Sequence, residues 1–99
     1  MKSIMISQPM NGKTYEEIIG ERKSVTRILE NQGYNVMDTI IKNSNASLDD
    51  IQFLLKSLSF LANADCIYFM QGWEKSRGCK IEHQVAVEYG KEIIYSNKI

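Results

Sequence analysis

Between Asp65 and Gln71 the chain reads Cys-Ile-Tyr-Phe-Met, apolar at every position. A strand with one wet face alternates polar and apolar residues, so this short unbroken run fits a central strand buried on both faces. Such a strand needs neighbours on either side and helices above and below. The remaining sequence supplies them. Residues 2–7 (Lys-Ser-Ile-Met-Ile-Ser) read as a first strand, ended by Gln8-Pro9-Met10-Asn11-Gly12. Thr14 with Glu17 three positions on is a capping box, opening a helix to about Asn31 that Gly33 stops. Residues 34–37 give a second strand. Ser47 caps a helix over about 48–62, and residues 65–70 form the third strand. After a loop over 71–78, a third helix from about Cys79 to Tyr89 ends at Gly90, and residues 92–95 form the last strand.

The order βαβαβαβ implies a parallel sheet with right-handed crossovers, hence a flavodoxin-like three-layer α/β/α fold with strand order 2-1-3-4. Ligands of such sheets bind beyond the carboxyl ends of the strands where the order reverses. That places a crevice between strands 1 and 3, with the loops at 7–12 and 71–78 facing each other. The 99 residues suffice for one domain, spanning 1–99.

Lys plus Arg and Asp plus Glu number 12 each, and no basic run stands out, which excludes the electrostatic footprint of a nucleic-acid binder. No segment reaches the roughly 20 consecutive apolar residues of a membrane span. Cys66 and Cys79 form no CxxC pair and have only His83 nearby as an imidazole ligand. Two reduced thiols in a cytoplasmic protein, without metal or cofactor, are expected.

Several residues break the pattern. On a wheel of the third helix, Ile81, Val85, Tyr89, Ala86 and Cys79 share one arc, and Glu82 falls in its middle. A core-facing carboxylate costs several kcal/mol unless backbone donors and the helix dipole satisfy it. Glu82 is therefore either a structural carboxylate bonded to loop amides or a site residue beside the crevice. Asp65 opens the third strand, a common place for a turn aspartate. Arg22 sits at the edge of the first helix's apolar arc, with a snorkelling stem or a salt bridge as its ordinary role. Trp73 suits stacking on a base or pinning its loop. Gly12 and Gly78 suit close backbone approach, though neither belongs to a glycine-rich phosphate motif. His83 lies on the polar side of its helix and is expected to be solvated.

Together, Ser-Gln-Pro-Met-Asn-Gly-Lys-Thr after the first strand, Asn-Ala-Asp before the third, and the segment from Gly72 to Ile94 resemble the nucleoside 2-deoxyribosyltransferase-like superfamily, above all its small, often phage-encoded members. The resemblance implies that Glu82 is the nucleophile and that Asp65 contacts the leaving base. It places Ser7 in the first loop near the substrate; Gln8, Met10, Gly12, Arg22, Trp73 and Gly78 are the further candidates for substrate binding. Six residues before the glutamate, transferases carry aspartate and deoxynucleoside 5′-monophosphate N-hydrolases carry serine. This chain has Ser76, which implies a nucleotide whose phosphate meets Ser76, the 77–79 amides and the helix dipole. Relatives extend beyond the last strand and place a residue from that extension in a neighbour's site, whereas this sequence stops at Ile99.

N-glycosidic cleavage passes through an oxocarbenium-like state, needing a carboxylate at the anomeric carbon and a proton for the departing base. Glu82 and Asp65 are expected to divide these roles, with water or a second base resolving the intermediate. The rival expectation is a protein that binds or sequesters a nucleotide without turning it over. In the second helix, Leu48, Ile51, Leu54, Leu55, Leu58, Leu61 and Ala62 fill a sheet-facing arc. Phe53 and Phe60 fall on the opposite side and suggest a homodimer surface.

Overall fold

The computed structural model describes residues 1–39 and 50–96. Four parallel strands, β1 (Ser3–Ser7), β2 (Asn35–Val36), β3 (Cys66–Phe69) and β4 (Glu92–Tyr95), form one sheet in the order β2-β1-β3-β4. Helices α1 (Tyr15–Asn31), α2 (Asp50–Asn63) and α3 (Arg77–Glu88) connect them, with a 3-10 turn over Trp73–Lys75. This is the expected three-layer α/β fold. The loop cap expected at Ser47 lies outside the described residues.

Local chemistry sets the element ends. The Thr14 hydroxyl accepts from the Glu17 amide at 3.1 Å, and the Glu17 carboxylate accepts from the Thr14 amide at 2.8 Å, closing the capping box of α1. Gly33 then turns the chain at φ 94°, which a side chain would resist. The third helix begins two residues earlier than the sequence suggests, because Ser76 serves as its N-cap.

Register places Ile4 opposite Cys66 and Ser7 opposite Phe69, so the two central strands are aligned end to end. Alternation along them sorts side chains into two cores. Ile4, Ile6, Cys66 and Tyr68 pack with Leu29 and Val25 of α1, while Met5, Ile67 and Phe69 pack with Leu61 of α2 and Ala86 of α3. All four residues of β3 are buried, as its unbroken apolar run requires.

Helix α2 is rotated from its expected orientation. Ile51 and Leu55, assigned to the sheet-facing arc, are 63% and 61% exposed, and Ala62 is exposed as well. Phe53 and Phe60 are half-buried, and Phe60 packs on the second core. They are therefore not the fully exposed aromatic ridge expected of this helix. Ser57 is half-buried on the side of the Glu82 carboxylate, and Phe60, three positions on, falls on the same side.

Candidate active site

Ser7 is the last residue of β1 and fully buried, and Glu82 lies in the second turn of α3 with only 6% of its surface exposed. The Ser7 hydroxyl donates to Glu82 Oε1 at 2.5 Å. The helix that covers β3 thus delivers its one inward carboxylate to the carboxyl end of the neighbouring strand. That is the edge where parallel sheets bind ligands. Glu82 is held by the side-chain hydroxyl of Ser7, with Ser57 on the same side. Burial pushes its carboxyl above the ordinary range, while Ser7, Ser57 and the Arg22 charge pull in the opposite direction. Cys79 is buried beside the hydroxyls of Ser7 and Ser76, and burial raises its thiol, which favours the neutral form.

The first loop is committed to structure at several points. Gln8 is buried: its amide nitrogen donates to the Ile18 carbonyl at 2.9 Å and to Glu21 Oε1 at 3.2 Å, and its amide oxygen accepts from Arg22 Nη1 at 3.1 Å. Glu21 is also bridged by Lys13 at 2.9 Å. Arg22 is 6% exposed, donating through Nη1 to Gln8 and through Nη2 to Thr39 Oγ1. It neither snorkels nor forms a salt bridge among the described residues, contrary to both ordinary roles. Met10 is exposed, and Gly12 forms an exposed turn at φ 78°.

The second loop meets the first: a methyl group placed on Gly72 would touch Pro9 Cγ at 3.8 Å. The Ser76 hydroxyl accepts from the Cys79 amide at 3.4 Å as the N-cap of α3. Gly78 belongs to the first turn of α3, and a Cβ there would meet nothing within 4 Å, so close packing does not require glycine.

Asp65 is not part of this assembly. Its carboxylate accepts from the Ser3 amide at 2.9 Å and from the Ser3 hydroxyl at 3.2 Å, and its amide donates back to Ser3 Oγ at 3.0 Å. It precedes β3, as Ser3 begins β1, so it lies at the opposite edge of the sheet from Ser7. At roughly 3.3 Å per residue the four-residue offset separates the two edges by about 13 Å. Asp65 cannot reach a base held beside Glu82.

His83 also departs from expectation. It is half-buried, its ring stacked on Trp73 with centroids 4.1 Å apart and edge-on to Phe69 at 5.0 Å. Its Nε2 lies 2.6 Å from the Tyr95 hydroxyl. Trp73 therefore pins its loop through this aromatic cluster. The two other misplaced α3 residues are Tyr89, 79% exposed, and Ile81, also exposed, because the inward arc centres on Cys79, Glu82 and Ala86.

A family model spans residues 2–95, covering every strand and helix named above. The chain belongs to DUF4406, a domain of unknown function. Comparison with curated proteins gives no match. Membership in DUF4406 thus accounts for the whole fold and assigns it no chemistry. Among the described residues no helix is long and apolar enough to cross a membrane.

Sequence reasoning missed the Arg22–Gln8–Thr39 network and Ser57. An inward serine within an apolar helix was a readable signal for the latter. Beside the network, a groove of about 480 Å³ runs along α1 and the end of β2. It shares Arg22 with the network, and Glu82 does not line it.

Proposed function

We propose that this DUF4406 chain acts on the N-glycosidic bond of a deoxynucleotide, with Glu82 as nucleophile. The observation that carries the reading is the buried Ser7–Glu82 contact at the carboxyl edge of the central strands. A carboxylate fixed by a hydroxyl donor, in a site from which most water is excluded, is pre-oriented for attack on an anomeric carbon. A bond forms between a Glu82 oxygen and that carbon as the bond to the base breaks and its electrons pass to the base. Water then releases the sugar, or a second base takes it. In this reading Ser76, the N-cap of α3, donates to a 5′-phosphate at the helix N-terminus. Attack requires ionised Glu82, so the rate should rise as pH climbs through its raised pKa.

A second reading, nucleotide binding or sequestration without turnover, draws on the position of Asp65. With that residue at the far edge, none of the residues proposed for the site supplies a proton to the leaving base.

The test incubates wild type and Glu82→Gln with deoxynucleoside 5′-monophosphates and separates free base by chromatography. Base release by wild type and none by the variant is expected. Equal release by both would remove Glu82 from the mechanism, and nucleotide binding without release would favour the second reading. Ser76→Ala should weaken a monophosphate about tenfold more than the matching nucleoside, as loss of one charge-assisted hydrogen bond implies. Equal weakening would remove the phosphate role from Ser76.

A further inference from the structure

Arg22 is a buried cation whose nearest opposite charges, Asp38 and Glu82, act on it only from beyond salt-bridge distance. Its hydrogen bonds go to the neutral oxygens of Gln8 and Thr39, and among the described residues no carboxylate lies within salt-bridge distance. Removing a guanidinium from water is costly unless an anion compensates, and among the described residues only part of its fork of donors is used. The same side chain lines the groove of about 480 Å³ between α1 and the end of β2, a volume in the range of small-molecule sites. Lys23 and Arg27 line that groove, one position and five positions along from Arg22, with the Tyr15 ring also contributing. Thr26, Glu30 and Asp38 complete the polar lining.

We propose that this groove binds a small phosphomonoester carrying hydroxyl groups, at a site separate from Glu82. Phosphate is a dianion with several acceptor oxygens, suited to a planar guanidinium fork flanked by two further cations. Glu30 and Asp38 are acceptors for hydroxyls of the same ligand and disfavour a ligand charged over its whole length. Tyr15 offers an aromatic face for the remainder. The assignment goes beyond the Glu82 chemistry and stands without it.

Titration of the full chain with inorganic phosphate and with ribose 5-phosphate at low ionic strength, followed by backbone amide NMR, tests this. Saturable shifts are expected in residues 15–30 and 36–39, stronger for ribose 5-phosphate, and retained in a Glu82→Gln background. The Lys23→Ala, Arg27→Ala double variant alters exposed residues only and should weaken binding about tenfold or more. Arg22→Lys, which keeps the charge and loses the fork, should also weaken it. Shifts confined to residues 76–80 would overturn the proposal and place phosphate on α3 instead. Absence of saturable shifts, or a double variant that binds as wild type does, would overturn it as well.

Discussion

At the scale of single residues, Glu82 is paid for by the rest of the fold. Its burial raises the carboxyl pKa, so the native state holds a proton more tightly than the unfolded chain. Stability therefore falls as pH rises from the ordinary carboxyl range through the raised value, and the full cost is present above it. Glu82→Gln keeps the shape and removes that cost. The variant should be more stable than wild type at pH 7–8, and the difference should vanish below the ordinary carboxyl range. Paired thermal melts across this range check it; a variant no more stable than wild type at pH 8 would mean that Ser7, Ser57 and Arg22 fully offset the burial. A group kept at such cost is a common signature of function.

Among the elements, α2 carries the sharpest contrast between pattern and structure. Seven apolar residues on one arc predicted its sheet face, yet Ile51 and Leu55 point to water and Phe60 packs inward. Phe60→Ala should cost about 2 kcal/mol, less than a fully buried phenylalanine. Leu55→Ala should change stability by no more than about 0.5 kcal/mol. Urea unfolding of both variants measures this, and the reverse ranking would restore the expected rotation. Strands and helix ends were legible because apolar runs, the Thr14 capping box and Gly33 act locally. The rotation was not, because it is set by packing against the sheet and α3, which the sequence of α2 alone does not contain. Asp65 is different: a residue that opens a parallel strand sits on the edge away from the crevice, so topology already argued against its assignment to the base. His83 was misread because a wheel describes one helix and says nothing of Trp73 and Tyr95, which approach from other elements.

For the molecule as a whole, the two edges of the sheet titrate in opposite senses. At the amino edge, hydrogen bonds from Ser3 hold the Asp65 carboxyl below its ordinary range. Its contribution is present above the unfolded pKa and lost as pH falls through the lowered value. At the carboxyl edge Glu82 penalises the fold as pH rises. The melting temperature should therefore peak in mildly acidic solution. Asp65→Asn should flatten the acid side of that profile while leaving the alkaline side unchanged, and an unaltered acid side would exclude the Ser3 contact as its source. The strand order has a further consequence, during synthesis. Ile4 and its partner Cys66 are separated by 62 residues, which a ribosome adding about 5–20 residues per second needs about 3–12 s to make. Through that interval the first strand is outside the ribosome without the neighbour that will cover its longest edge, so the nascent chain, more than the finished protein, is the form at risk of sticking to its own kind.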